Sequence, residues 1–329
     1  MNIKLGIVRA LADGGFRSGE ELAATYKITR AAVWKHISEI RKDWGLSVFA
    51  VRGKGYRLAA PLELLDRIKI TQALSDKALE WMSVLEIKGR IDSTNSYLMS
   101  RLAKELPSGC ACLAEQQTAG RGRRGRTWVS PFGSNIYLSI YWKFDVDLAG
   151  ISGLSLAAGL AVVKSLKEIG LLDIGLKWPN DVVWNNRKLA GLLLEVTGEQ
   201  GGPSHVVLGV GLNSRLDIHQ ASAIDQPWVD LHSLPNGADI SRNLLAARIL
   251  EALLNALSRF AVEGFGPLVA EWKVHDVYYG ETVMLQMGNS HVVGTNCGVS
   301  DSGALLLREA GTVRAYHGGE LSLRVLRRV

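Results

Sequence analysis

The sequence predicts a multidomain α+β protein with an N-terminal winged helix-turn-helix, a central mixed α/β domain and a small C-terminal β-barrel. Three observations predict this fold. Short amphipathic helices and a hairpin occupy the first 65 residues, apolar strands alternate with helices in the middle, and short strands between glycine-containing turns follow residue 275. A length of 329 residues accommodates two domains and one smaller unit. The predicted domains are 1–65, 66–274 and 275–329.

The composition excludes several classes of protein. Hydrophobic residues make up 47% and charged residues 21%, which is ordinary for a globular chain and excludes wholesale disorder. No run of about 18 apolar residues predicts a membrane span, and the first residues do not form a signal-peptide pattern. Three cysteines cannot form a disulfide framework. We therefore expect a cytoplasmic protein without a membrane partner.

The positive charge is concentrated near the N-terminus. The whole chain carries 38 Lys+Arg and 32 Asp+Glu, a net charge of +6, and residues 1–65 alone contribute 11 − 6 = +5. A small basic domain on a nearly neutral remainder predicts an anionic partner for that domain.

Two capped helices in the basic domain predict a helix-turn-helix. An apolar stripe over residues 2–12 predicts a first helix. Ser18 and Glu21 form a capping-box pattern that begins a helix ending near Tyr26, and Thr29 is placed to cap a further helix to about Lys42. Two short helices joined by a tight turn are typical of this motif.

The last of these helices has an apolar side and a basic side. On a helical wheel Val33, Ile37 and Ile40 face inward. The opposite side combines basic and small residues, as a helix in the major groove requires. A hairpin over residues 47–58 then forms a wing that can reach phosphates. The predicted DNA-binding residues are Arg30, Ala31, Trp34, Lys35, Ser38, Arg41 and Lys42 on the helix, and Arg52 and Lys54 on the wing. A protein-interaction domain of the same fold is the alternative.

The link after the wing, Leu62 to Leu65, is expected to start a connecting helix.

The central domain begins with a strand over residues 84–91 and a helix to about Lys104. Ser93, Thr94 and Asn95 lie at the start of that helix, where they are either ordinary caps or a cluster of donors and acceptors for a small polar ligand. The strand 110–117 follows, and its Cys110 and Cys112 share one face. Without a second pair or a nearby histidine, these cysteines are expected in the core rather than at a metal.

A loop rich in arginine and glycine, Gly120–Arg126, follows this strand. Its glycines match the pattern G-x-G-x-x-G, but a Rossmann site is excluded because the required helix does not follow. Four guanidinium groups repel one another and glycine carries a large ordering entropy, so we expect the loop to be mobile until an anion binds. Arginine binds phosphate bidentately, and glycine lets backbone N–H groups approach it closely.

Two later strands carry candidate ligand groups. Lys177 lies in an apolar strand, where a buried ammonium group requires an anionic partner. That partner is either Asp181, in a structural ion pair, or a carboxylate or phosphate of a substrate. Gly209 and Gly211 lie on one face of the strand 206–213 and predict space for a flat ligand.

The C-terminal third combines a long helix with short strands. Ser241 is expected to cap a helix over residues 240–262 that turns Leu244, Leu245, Ile249, Leu253, Leu257 and Phe260 inward. From Val277 onward, short strands with turns at 288–290, 300–303 and 317–319 predict the β-barrel.

At this point the chain resembles the bifunctional biotin–protein ligases that also repress the biotin operon. The resemblance runs nearly from end to end, and the arginine- and glycine-rich loop together with Lys-Trp-Pro-Asn-Asp is its most specific part. The matching segments are 29–32, 53–56, 92–95, 120–126, 177–181, 187–191, 209–213 and 318–324. The resemblance implies a biotin/lipoate-ligase-like catalytic domain and an SH3-like barrel.

The resemblance also implies a two-step reaction. Biotin and ATP, with Mg²⁺, would give biotinyl-5′-AMP and pyrophosphate, and biotin would then pass to a lysine of a biotin carboxyl carrier protein. The implied catalytic residues are Lys177 and Arg121. The implied biotin contacts are Ser93, Thr94, Asn95, Gln117, Arg121, Gly122, Arg123, Lys177, Gly209 and Gly211. The implied ATP and adenylate contacts are Arg121, Arg123, Arg124, Asn180, Asn213 and Trp228, the last at the end of a second mobile loop, 214–228. No protein ligand to Mg²⁺ is assigned.

The residues agree with this chemistry, because a carboxylate attacking a phosphate needs fixed positive charge in the transition state. The implied partners are operator DNA, the carrier protein and a second copy of the chain, with the adenylate ordering the loops and completing a homodimer. Two rival functions remain: a transcription factor whose body only binds an effector, and a lipoate ligase. The presence of both Lys177 and the arginine loop favours an enzyme over a transcription factor that only binds an effector. The arginine loop together with the winged domain favours a biotin ligase over a lipoate ligase.

Overall fold

A computed structural model describes residues 2–102, 106–199, 201–217, 220–237, 240–288, 290–317 and 321–325. Its elements fall into an N-terminal helical domain with a small hairpin, a central domain built on a large sheet, and a C-terminal sheet. None of the helices in these ranges is long and apolar enough to cross a membrane.

The N-terminal domain is the winged helix-turn-helix that the sequence predicts. Its elements are α1 (Ile3–Leu11), α2 (Gly19–Tyr26), α3 (Arg30–Trp44), β1 (Val48–Val51) and β2 (Gly55–Leu58). Ser18 and Thr29 cap α2 and α3 as expected, each by accepting a backbone N–H three residues ahead. Val33, Ile37 and Ile40 are fully buried in the core of this domain.

The link to the central domain differs from the prediction. Leu62 to Leu65 do not form a helix; the next helix, α4 (Arg67–Gln72), begins only after Asp66 caps it. The extended link is instead bonded to the central domain. Glu63 accepts bonds from the first turn of a distant helix, at Ser241 and the backbone of Arg242, and the N–H of Leu65 donates to Glu115. These long-range bonds replace the ones that a helix would make.

The described residues of the central domain form a seven-stranded, mainly antiparallel sheet in the order β3-β4-β5-β9-β8-β7-β6. Its strands are β3 (Val84–Lys88), β4 (Cys110–Ala114), β5 (Ile136–Phe144), β6 (Ile174–Lys177), β7 (Asp181–Trp184), β8 (Arg187–Gly198) and β9 (Ser204–Leu212). Only β3 and β4 run parallel. The strand that contains Lys177 ends at that residue, because the Trp178-Pro179-Asn180 segment turns the chain back on itself to form β7.

Helices cover both faces of this sheet. They are α5 (Asp76–Trp81), α6 (Thr94–Met99), α7 (Leu154–Glu168), α8 (Arg242–Glu263) and α9 (Val269–His275). Helices α7 and α8 share the main core with alternate residues of β5, and α6 packs on the opposite face beside Tyr141. Helix α6 ends at Met99, earlier than predicted. Leu244 in α8 is exposed rather than inward, because it lies on the same side of α8 as the exposed Arg248, four residues on.

The C-terminal strands are β10 (Thr282–Met287), β11 (Ser290–Val299), β12 (Leu305–Glu309), β13 (Thr312–Tyr316) and β14 (Leu321–Val325). They form an antiparallel sheet in the order β13-β12-β11-β10-β14. Within the described part, β13 and β14 lie at opposite edges and do not pair, so the observed unit is a sheet and not a closed barrel. Asn289 and residues 318–320, part of two predicted turns and of one family-like segment, lie outside the described residues.

Candidate active site

A cavity of about 500 Å³ opens between α6, the arginine- and glycine-rich loop 120–126 and strands β6 to β9. Every residue that the resemblance implied for biotin or the adenylate lines it. These residues are Ser93, Thr94, Asn95, Gln117, Arg121, Gly122, Arg123, Arg124, Lys177, Asn180, Gly209, Gly211, Asn213 and Trp228. Residues up to 135 positions apart in the chain, from Ser93 to Trp228, therefore meet at one place. Its dimensions are those of a small-molecule site.

The first turn of α6 forms one wall of the cavity. Ser93 is the helix cap, since its Oγ accepts the N–H of Ser96, and the next residue faces the cavity. The backbone N–H and the hydroxyl of Thr94 both donate to Oε1 of Gln117, at 2.9 and 3.1 Å. Nε2 of Gln117 donates to Ser130 at 3.1 Å. The amide of Gln117 is thereby fixed in one orientation.

Asn95 lies deeper and is almost completely buried. Its Oδ1 accepts the hydroxyl of Ser139 at 2.5 Å, and its Nδ2 donates to Glu195 at 2.9 Å and to the carbonyl of Leu193 at 3.3 Å. A Cβ on Gly209 would lie 2.2 Å from Asn95 Oδ1. Gly209 therefore makes room for Asn95, rather than directly for a ligand as the sequence predicts.

Gly211 plays the same part for an aromatic ring. A Cβ at this position would lie 2.3 Å from the indole of Trp128, which lines the cavity together with Gly211. The ammonium group of Lys188 lies 5.4 Å from the centre of the Trp128 indole ring, a cation–π arrangement. The flat surface over this strand is consequently formed by an indole ring as well as by the glycine backbone.

The loop 120–126 forms the opposite wall. It is closed by a bridge between Arg121 and Thr127, and the N–H of Gly122 donates to the carbonyl of Arg126 at 2.7 Å. Arg124 adopts a left-handed backbone conformation with φ 60°. Arg121 donates to Glu195 at 2.8 Å and Arg123 donates to Asn180 at 3.3 Å. Burial and the neighbouring Arg124 lower the pKa of the Arg123 guanidinium, which still remains protonated at neutral pH.

Lys177 projects from the end of β6 into the cavity lining. Its ammonium group lies 5.8 Å from the centre of the Tyr278 ring, which the C-terminal unit contributes. Asp181 is its register partner across the hairpin, and the carboxylate of Asp181 binds the ammonium group of Lys188 at 2.7 Å. Two lysines and four loop arginines against two carboxylates, Asp181 and Asp225, thus place a net positive charge around the cavity.

The second loop is attached to the sheet by main-chain and amide contacts. Trp228 forms a parallel bridge with Lys188, and the buried Asn213 donates from Nδ2 to the carbonyl of Val229 at 3.1 Å. Asn180 likewise donates to the carbonyl of Leu192 at 2.5 Å. Asn180 and Asn213 therefore hold the backbone of the site, and residues 218–219 of the loop lie outside the described part.

Sequence reasoning missed four residues of this site, namely Trp128, Ser139, Lys188 and Glu195. Glu195 and Lys188 had a visible signal, because each is a charged residue beside the apolar run 189–194. Ser139 and Trp128 had none, since their roles depend on side chains that approach from other elements.

Cys110 and Cys112 lie in the core as predicted, and burial raises the pKa of Cys112 to about 12. Across the described residues, no three His, Cys, Asp or Glu side chains are grouped to hold a metal ion.

The predicted DNA-binding face of the N-terminal domain lies on the surface. Trp34 is 62% exposed, and Lys35, Lys42, Arg52 and Lys54 are also exposed. Arg41 differs from the others because its guanidinium donates two bonds to the carbonyl of Val48 and so ties α3 to the wing. Ser38 donates to the carbonyl of Trp34. Arg57 of the wing packs on the rings of Phe16 and Phe49.

Comparisons with known proteins match the central and N-terminal domains to known families. Residues 88–213 match the biotin/lipoate A/B protein ligase family and residues 4–57 match a helix-turn-helix domain. The chain is 42% identical to the bifunctional ligase/repressor BirA of Salmonella typhimurium, over 98% of both chains. It is 41% identical to the Escherichia coli protein of the same name, over 98% of this chain and 97% of that one.

A solved structure shares the architecture. The biotin protein ligase from Aquifex aeolicus, in complex with biotin and ATP, superposes with a TM-score of 0.62 at 27% identity and covers 74% of this chain and all of its own. The near-complete coverage by the two-domain relatives shows that the chain belongs to the family of bifunctional biotin–protein ligases and repressors.

Proposed function

We propose that the chain activates biotin with ATP, giving biotinyl-5′-AMP and pyrophosphate, and transfers biotin to a lysine of a biotin carboxyl carrier protein. One observation carries this proposal: the hydrogen-bonding wall at Thr94 and Gln117, the loop arginines and Lys177 all line one cavity. That combination provides a neutral polar end and a cationic end, which matches a ureido ring at one end and a carboxylate and phosphate at the other.

The first step requires two anions to approach. A carboxylate oxygen of biotin attacks the α-phosphorus of ATP, the bond between that phosphorus and the bridging oxygen breaks, and pyrophosphate leaves. Lys177 supplies fixed positive charge where negative charge develops, and Arg121 adds a second positive charge at the phosphate. Arg123 and Arg124 would contact the adenylate from the loop, beside Gly122.

In the second step the acceptor lysine, as a neutral amine, attacks the acyl carbon, and AMP leaves. The mixed anhydride hydrolyses readily in water, so closure of loops 120–126 and 214–228 would protect it, with Trp228 as an apolar cover. Asn180 and Asn213 would support the adenylate end by holding the backbone around it.

Mg²⁺ fits this site as a partner of the nucleotide. Mg²⁺ is commonly held by one or two carboxylates and substrate phosphates rather than by a cage of protein ligands. Asp181 is the acidic residue of the described site nearest the lysines, and its carboxylate binds Lys188. When bound with ATP, the ion would neutralise phosphate charge that the arginines and Lys177 do not reach.

The N-terminal domain supports a second role as a repressor at operator DNA. Its exposed basic face carries Lys35 and Lys42 on α3 and Arg52 and Lys54 on the wing, all able to reach phosphates. We infer a homodimer that forms when the adenylate orders the loops, so that two winged domains meet two half-sites. The C-terminal sheet, SH3-like by resemblance, is proposed to serve ATP and acceptor binding, since Tyr278 lies beside Lys177.

A pyrophosphate-release assay with biotin, lipoate and octanoate tests the enzymatic proposal. We expect release with biotin and ATP, with little or none for lipoate or octanoate. Incorporation of labelled biotin into a carrier domain must follow. Release with lipoate alone would identify a lipoate ligase, and binding of biotin without release would identify a transcription factor with a passive effector. Sedimentation with and without biotin and ATP tests the dimer, and unchanged self-association would contradict it.

A further inference from the structure

One carboxylate oxygen connects the two walls of the site. Oε2 of Glu195 accepts a bond from Nδ2 of Asn95 at 2.9 Å and from the guanidinium of Arg121 at 2.8 Å. Glu195 lies on β8 beside the cavity and is not among the residues that line it, whereas Arg121 and Asn95 are. The guanidinium of Arg121, a residue of the cavity lining, is therefore bonded to a carboxylate beside the cavity.

The Asn95 end of this contact is rigid. Asn95 is held by Ser139 and by the carbonyl of Leu193, and it occupies the space that the missing side chain of Gly209 leaves. Glu195 itself lies in the middle of β8, paired with Val207 of β9. The carboxylate is thus fixed by a packed sheet on one side and by a buried amide on the other.

The Arg121 end belongs to loop 120–126, which also contacts the rest of the site through the bond from Arg123 to Asn180. The side chain of Arg121 is 44% exposed, against 24% for Glu195, and the loop includes three glycines between residues 120 and 125. Because glycine-rich segments lose much conformational entropy on ordering, one charge-assisted bond to a rigid partner has a large influence on where this loop rests.

We propose that Glu195 is a positioning residue that holds Arg121 against β8 until an anionic nucleotide replaces the carboxylate as the partner of the guanidinium. The inference rests on the proposed function, in which Arg121 contacts the activated phosphate. While the pair is intact, the charge of Arg121 is neutralised and loop 120–126 stays anchored. ATP must compete with the carboxylate, so the pair weakens ATP binding and restrains the empty loop at the same time.

Limited trypsin digestion of the ligand-free full-length chain tests the anchoring. Glu195→Gln keeps the size of the side chain and an oxygen that can accept from Asn95, but removes the charge. We expect cleavage after the loop arginines to accelerate several-fold in Glu195→Gln. Glu199→Gln, an exposed charge just past the end of the same strand, should be cleaved at the wild-type rate. Glu195→Asp, which keeps the charge on a shorter side chain, should fall between wild type and Glu195→Gln.

A double variant shows whether Glu195 acts through Arg121. In an Arg121→Gln background, loop cleavage should no longer respond to Glu195→Gln, because the contact is already lost. A full response in that background would overturn the inference. Equal cleavage of wild type and Glu195→Gln would also overturn it, even if biotin ligation by the wild type is normal, so this failure is distinguishable from failure of the proposed function.

Steady-state kinetics distinguish this role from a merely structural one, because a structural role would not change the KM for ATP separately from kcat. We expect Glu195→Gln to lower the KM for ATP two- to five-fold, a change typical of the loss of one partly exposed ion pair. We expect kcat to change by a smaller factor. A higher KM for ATP, or a fall in kcat with KM unchanged, would show that Glu195 supports the active geometry and does not compete with ATP.

Discussion

The indole of Trp44 stacks on the ring of Phe132, with ring centres 4.6 Å apart and planes 9° apart. Trp44 ends the recognition helix of the N-terminal domain, and Phe132 lies six residues after the arginine loop of the central domain. Phe132 is accordingly buried within the core of the winged domain. The two functional parts of the chain therefore share one aromatic contact.

Phe132→Ala should destabilise the N-terminal domain by about 3 kcal/mol or more, because a buried ring is removed and a cavity remains. Urea unfolding followed by circular dichroism and by tryptophan fluorescence measures this. Phe49→Ala, at an exposed phenylalanine of the same domain, is the matched control and should change stability by less than about 1 kcal/mol. Similar midpoints for the two variants would contradict the shared core.

Lys177→Ala should keep its fold and lose about two to three orders of magnitude in adenylate synthesis, because a fixed charge at the reacting phosphate is removed. Pyrophosphate release with saturating biotin and ATP measures the rate. Lys143→Ala, at a half-exposed lysine on β5, serves as the control and should react at the wild-type rate. Normal turnover of the Lys177 variant would remove this residue from the catalytic role.

Lys35→Ala should weaken binding to duplex DNA of random sequence about tenfold near 0.1 M salt and reduce the slope of log affinity against log salt by about 1. The reason is the loss of one phosphate contact from the exposed face of α3. Lys77→Ala, at an exposed lysine outside the N-terminal domain, should leave both quantities unchanged. Biotin ligation should be unaffected in each variant, and an unchanged salt slope for Lys35→Ala would argue against this face.

Burial raises the pKa of Asp276 from 3.8 to about 6, even though it accepts bonds from the N–H of Tyr278 and from Asn296. The folded state therefore binds a proton more tightly than the unfolded state, and the free energy of unfolding contributed by this group falls as pH rises from about 4 to about 6.

Asp276→Asn removes this dependence while keeping an oxygen for one of the bonds. Relative to wild type, the variant should gain up to about 3 kcal/mol between pH 4 and pH 7.5. Urea unfolding at both pH values checks the sign, and a difference that shrinks toward neutral pH would show that the carboxylate is stabilised by its surroundings.

Local sequence patterns correctly predicted much of the secondary structure of this protein. The caps at Ser18 and Thr29, the inward face of α3 and the cap of α8 at Ser241 depend on residues three or four apart, and the structure has them as predicted. The residues that the family resemblance implied all line the cavity, although it did not name Trp128 and Lys188, which line it too. Their roles in ligand binding stay predictions.

The misplaced features depend on distant partners. Leu62 to Leu65 carry a helical pattern, but Glu63 and Leu65 are bonded to residues of α8 and β4–β5 that the pattern does not contain. Gly209 and Gly211 predict open space beside their strand. Only the packing of the sheet shows that the side chains of Asn95 and Trp128 occupy this space. Glu195 is one polar residue in an apolar strand until α6 and the loop approach it from opposite sides.

The sequence by itself determined the domain order, the capped helices, the basic N-terminal face and the chemical types gathered for ligand binding, since these follow from spacing along one chain. Tertiary structure alone decided which side chains meet. The contacts Arg121–Glu195–Asn95 and Trp44–Phe132 join elements far apart in sequence, whereas Lys188–Asp181 joins two consecutive strands. The geometry of all three is fixed by close packing of the sheet and helices around them.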